Sequence, residues 1–214
     1  MKKILVVLRH DAALRPGGDT ALLTEIARSL VGFECDVVSG VPKSVSGYEF
    51  VLCANLDRPM EAFDLLNKCQ QFAVPLHLMA LHHSYEAMTK FLRLGLVGWK
   101  RYVAFFANFQ PVKYEQLLWN IRVLSSYVLK ERRLKFGSVA GAQARLMREC
   151  EFLLVVAGDE LKSIERDIGA VSCKVIEVPH LLNDDIIEEA SFYKEKVIFC
   201  PGRIESRKNQ LFIL

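Results

Sequence analysis

Five consecutive aliphatic residues, Ile4, Leu5, Val6, Val7 and Leu8, form a run with no polar position. Successive side chains of a strand point to opposite faces, so such a run needs apolar cover on both. Further strand candidates lie at 34–38, 50–54, 75–81, 152–156 and 174–178. Between them apolar residues recur at helical spacing, as with Leu22, Leu23, Ile26, Ala27 and Leu30. Helices are expected from Asp19 or Thr20 to Gly32, and at about 59–72, 85–94, 97–108, 113–134, 139–149 and 159–168. Short buried strands alternating with helices predict an α/β fold, a doubly wound, Rossmann-like parallel sheet.

Composition is that of an ordinary globular chain, with 51% hydrophobic and 25% charged residues over 214 positions. That length buries one good core, or two small ones. The six cysteines, at 35, 53, 69, 150, 173 and 200, show no C-x-x-C pair and no metal-ligand spacing. They read as reduced core residues of a cytosolic protein. The N-terminus reads as a first strand and not as a signal peptide, and no apolar run reaches membrane-span length.

Candidate ligand residues cluster where strands end. After the first run comes Arg15-Pro16-Gly17-Gly18-Asp19-Thr20 and a helix start. Gly17 and Gly18 let a ligand approach the backbone, and the helix N-terminus offers amides to an anion or a hydroxyl. The spacing is not G-x-G-x-x-G, which argues against a dinucleotide site. Asn55-Leu56-Asp57-Arg58-Pro59 follows the third run, reading equally as a ligand turn and as a helix cap with proline in the first turn. The fourth run delivers His82-His83-Ser84. As strand neighbours the two histidines would face opposite ways, and no third ligand is spaced to complete a metal site.

Near the end, an apolar run breaks at Pro201-Gly202 and enters a second charged loop, Arg203-Ile204-Glu205-Ser206-Arg207-Lys208-Asn209. This string resembles the loop that opens the donor-binding domain of retaining glycosyltransferases of the GT-B architecture, and Gly17 to Thr20 resembles the N-terminal loop of the same family. The resemblance spans the whole chain at low similarity and is specific mainly at these two loops. It implies that Arg203 and Lys208 hold the diphosphate of a nucleotide-sugar. Gly17 and Gly18 would line the interdomain cleft, with Asp19, Asn55 and Arg58 on the acceptor side. His82 or His83 would face the transferred sugar as the catalytic-site candidate. It further implies sugar transfer with retention and no metal or other cofactor. Two departures stand out: Ala157 where the family has Ser, and His180-Leu181 where it has Asn-Gly; Glu160 matches.

Charge is uneven. Residues 90–148 carry 12 Lys and Arg against 2 acids, whereas 1–89 carry 8 against 10 and 149–214 carry 8 against 13. Three readings of the basic third stay open: a solvated helical face, a membrane-surface patch suited to a lipid-linked acceptor, and, weakest, nucleic acid, which no motif supports. The organisation expected is an N-terminal acceptor-side domain at 1–190, with 191–214 as linker and start of a donor-binding domain. On this reading the chain is the N-terminal half of a cytoplasmic, or inner-face peripheral, glycosyltransferase and by itself inactive. The alternative is a non-catalytic transferase-like module acting as a partner subunit, or self-associating, through its apolar final helix.

Overall fold

A computed structural model of the chain describes residues 2–128 and 137–178. Six strands form one sheet: β1 (Lys2–Leu8), β2 (Phe33–Ser39), β3 (Phe50–Ala54), β4 (Leu76–Met79), β5 (Phe152–Val155) and β6 (Lys174–Glu177). Their order is β2-β1-β3-β4-β5-β6, and every pairing is parallel. Seven helices connect them: α1 (Gly18–Ser29), α2 (Met60–Gln71), α3 (Tyr85–Leu94), α4 (Trp99–Phe106), α5 (Pro111–Val128), α6 (Val139–Glu149) and α7 (Gly158–Asp167). This is the doubly wound α/β fold expected from the strand and helix pattern, in the flavodoxin-like order and not the 3-2-1-4 order. Residues 179–214, among them Arg203, Lys208 and the expected domain boundary, lie outside the described residues.

The first aliphatic run explains the layering. Ile4, Leu5, Val6 and Val7 are all buried. Leu5 and Val7 join Val51, Cys53, Leu78, Leu153 and Val155 against α2, α6 and α7. Ile4 and Val6 join Leu52, Met79 and Leu154 on the other face, where α1 brings Leu23 and Ala27. The outer strands differ: β2 has no fully buried position and all four residues of β6 are exposed, as edges allow.

Three boundaries depart from the sequence reading for local reasons. α5 starts at Pro111, because proline's fixed φ suits a first turn. β4 stops at Met79 because Leu81 turns to φ +49, outside the extended region. α1 ends at Ser29, and Gly32, at φ +86, shapes the turn into β2 instead of capping the helix.

Between the paired strands β4 and β5 the chain makes a four-helix excursion. α6 covers the sheet, while α3, α4 and α5 build a small core of their own from Leu92, Ala104, Ala107, Tyr114 and Leu118. Among the described residues no helix is long and apolar enough to cross a membrane. The cysteines at 35, 53, 69, 150 and 173 are free thiols. The β5–β6 pairing brings Cys150 Sγ to 3.4 Å from Cys173 Sγ, a proximity that no sequence spacing announced.

Leu78, fully buried in the centre of the sheet, tests the core. Leu78→Ala should cost about 2–5 kcal/mol in urea unfolding. Val175→Ala, on the half-exposed edge strand, should change stability by no more than about 0.5 kcal/mol.

Candidate functional site

Strand order reverses between β1 and β3, so the segments leaving their carboxyl ends diverge and open a crevice. The cleft there has a volume of about 310 Å3. Arg9, His10, Asp11 and Arg15 reach it from the loop after β1, and Asn55 and Arg58 from the loop after β3. The other wall is Glu61 of α2, Lys100 of α4, and Glu115, Trp119 and Arg122 of α5. Part of the basic third thus forms a wall of this cleft. With Arg9 paired to Asp11 and Asp19, Arg15, Arg58, Lys100 and Arg122 outnumber Glu61 and Glu115, so the cleft favours an anion.

Arg9 organises the first loop. Its Nε lies 2.5 Å from Asp19 Oδ2, its Nη1 donates to Asp11 Oδ1 at 3.1 Å, and its Nη2 donates to the Arg15 carbonyl at 3.1 Å. Asp19 is therefore occupied by Arg9, one step behind the cleft lining. The two glycines serve different ends. A Cβ on Gly17 would stand 2.6 Å from Asp19 Oδ1 and 3.3 Å from Arg9 Nη2, whereas one on Gly18 would meet open space. α1 begins at Gly18 with no side-chain cap, leaving its first amides available to a ligand.

On the second loop, Asn55 adopts φ +94, a conformation asparagine tolerates better than most residues. Its Oδ1 accepts from the Arg58 amide at 3.0 Å, so the side chain acts as a turn cap, and Arg58 is left to face the cleft. Opposite, Glu115 is buried, and burial pushes its pKa up despite the opposing charges of Arg122 and Arg58. Its Oε1 accepts from Arg122 Nη1 at 3.3 Å. His10 contacts Glu61 through Nδ1 at the rim.

The histidine pair lies apart from this cleft lining. Both residues follow β4, beyond its last paired position, so the opposite-face expectation does not apply. Asp57 collects both: its Oδ1 meets His82 Nδ1 at 2.6 Å, and its Oδ2 meets His83 Nδ1 at 3.0 Å. His82 Nε2 also meets Asp167 Oδ2 at 3.2 Å, and the His82 amide donates to Glu160 Oε1 at 2.7 Å. The His82 side chain is 0% exposed, whereas that of His83 is 50% exposed. Of the two, His83 alone presents its ring to a ligand. Burial opposes charge on His82, but hydrogen bonds and charge from Asp57 and then Asp167 outweigh it and raise its pKa. Asp57 and Asp167 are lowered: burial works against them, but His82 and His83 stabilise the Asp57 charge, and Arg166, the Tyr85 amide and His82 that of Asp167.

Of the residues expected from the sequence, Asn55 and Arg58 line the cleft; Gly17, Gly18 and Asp19 do not, Asp19 being paired with the lining residue Arg9, and His82 and His83 form a separate cluster with Asp57. The sequence reading missed Arg9, Lys100, Glu115 and Arg122 as lining. Arg9-His10-Asp11, a charged triplet directly after a buried strand, was a usable signal. Glu115 and Arg122 carried none, because only the folding back of α5 brings them here. Among the described residues no group of three or more His, Cys, Asp and Glu could hold a metal ion.

The raised His82 value stabilises the fold fully below the unfolded histidine pKa of about 6.5, a contribution lost as pH rises through the folded value. His77 works the other way, because burial lowers its pKa. The difference between proteins is therefore the readout. His82→Asn should cost up to about 3–5 kcal/mol at pH 5.5 and distinctly less at pH 8.5, measured by urea unfolding. In the first loop, Gly17→Ala should lower stability by about 1–3 kcal/mol by disturbing the Arg9–Asp19 pair. Gly18→Ala, with open space and no positive φ, should leave it within about 0.5 kcal/mol in the same assay.

The sequence matches no protein-family model and no curated protein, so function has to be read from this fold and this cleft.

Proposed function

We propose that the domain is the acceptor-side half of a retaining glycosyltransferase of the GT-B architecture, working with a nucleotide-diphosphate sugar as donor. The observation that carries this reading is the cation-rich cleft at the β1/β3 switch point. Open α/β sheets hold ligands outside the carboxyl ends of their strands at such a point. The resemblance of Gly17 to Thr20 to the family's N-terminal loop adds to it.

The chemistry of the lining suits an anionic ligand. Arg58 and Arg15 offer planar forks that match phosphate or carboxylate oxygens. Arg9 keeps the first loop in place instead of binding ligand, since it is engaged by Asp11, the Arg15 carbonyl and Asp19 in the first turn of α1. Arg203 and Lys208, in this proposal, supply the charge that stabilises the departing diphosphate.

Calorimetric titration of the chain with UDP-, GDP- and ADP-sugars and with sugar phosphates tests the reading. At least one sugar phosphate, as an acceptor-like anion, should bind, and Arg58→Ala should weaken it at least about tenfold, the loss of about 1.4 kcal/mol expected for a charge-assisted contact. Glu115→Gln, which removes a negative charge from the cleft, should tighten it. Failure of every ligand to bind would leave the non-catalytic binding module as the better reading.

A further inference from the structure

Within the four-helix excursion, α3 and α4 carry an exposed apolar surface from which Lys100 alone reaches the cleft. α3 and α4 meet there through Gly95, Leu96, Val97 and Gly98. Gly98, at φ +63 and ψ −152, adopts a conformation essentially confined to glycine. The turn throws apolar side chains outward: Leu94 is 88% and Val97 83% exposed. α4 continues the surface with Trp99, Tyr102, Phe105 and Phe106, all exposed, while Ala104 and Ala107 face the small core beneath. At about 100° per residue the four aromatics occupy one continuous arc of the helix.

Charge decides what such a surface meets. From Ala87 to Tyr114 the chain carries Lys90, Arg93, Lys100, Arg101 and Lys113 and no carboxylate. Lys90 is paired with Glu86 on α3, and Arg93 lies 5.8 Å from the Phe109 ring. Lys100 lines the cleft. Tryptophan, tyrosine and phenylalanine interleaved with cations match a bilayer interface, where rings enter the headgroup layer and cations meet anionic lipid.

We propose that the α3–α4 tip is an interfacial anchor that docks the domain on an anionic lipid bilayer. Leu94, Val97, Trp99, Phe105 and Phe106 enter the headgroup region, and Arg93 and Arg101 hold the lipid phosphates. The inference does not rest on the glycosyltransferase reading.

Co-sedimentation of the 214-residue chain with vesicles of phosphatidylcholine alone, and of phosphatidylcholine mixed equally with phosphatidylglycerol, tests it. The chain should bind the mixed vesicles at least tenfold better than the neutral ones. Trp99 emission should shift to the blue on binding, while Trp119, already buried, contributes no shift. The triple variant Trp99→Ala, Phe105→Ala, Phe106→Ala and the charge variant Arg93→Glu, Arg101→Glu should each lose at least tenfold in partitioning, with unchanged circular dichroism. Arg58→Ala should bind vesicles normally, which separates this proposal from failure of the cleft reading. No binding to the mixed vesicles, equal binding by both variants, or a dimer in solution that shields Trp99 and ignores vesicles would overturn it.

Discussion

Everything described here depends on β1 being buried on both faces. Ile4, Leu5, Val6 and Val7 can be satisfied only between two helical layers, so the chain must cross from one side of the sheet to the other. With β1 internal, the first crossover adds β2 on one flank and the next adds β3 on the other. The reversal this forces is what opens the cleft. A hydrophobic constraint at residues 4–7 thus fixes where charged residues can gather to meet a ligand, because only at that reversal do loop ends separate.

The fold was legible because each level agreed. All six described strands and all seven helices coincide with periodic runs, and even the short ones at 50–54 and 85–94 carry clear boundaries. Strand order was not legible. Nothing local distinguishes the flavodoxin-like order from the other doubly wound arrangement, since both use the same alternation of buried strands and helices. At the site, residues adjacent to strand ends, such as Asn55 and Arg58, could be found from position alone. The wall from α5 could not, because Glu115 and Arg122 reach the cleft through packing of the excursion. His82 shows the opposite failure. A strand-end histidine looks the same in sequence whether it faces substrate or is sealed between two aspartates.

The two polar assemblies divide the work by solvent access. The His82, Asp57 and Asp167 group is closed, with both ring nitrogens engaged by carboxylates, and it ties the loops after β3 and β4 to α7. Such a group gives rigidity more than chemistry, since breaking one member leaves a buried charge. The cleft is the reverse: its arginines face solvent across a lining in which Glu115 alone among the carboxyls is buried. Arg9 on one side and the closed cluster on the other tie down the cleft's loops.

The excursion between β4 and β5 also shapes how the chain reaches its native state. β1 through β4 pair with partners near in sequence, so that half can assemble from short-range contacts. The pairing of Leu78 with Leu153 must instead wait until all of residues 80–151 are gathered between them. Loop closure grows only logarithmically with length, roughly 0.6 kcal/mol for each doubling, so the insertion burdens stability little. It burdens the rate more, because non-local pairing comes late. The last strands, and the Cys150 and Cys173 thiols they bring together, are therefore the part of the domain that remains open longest during folding.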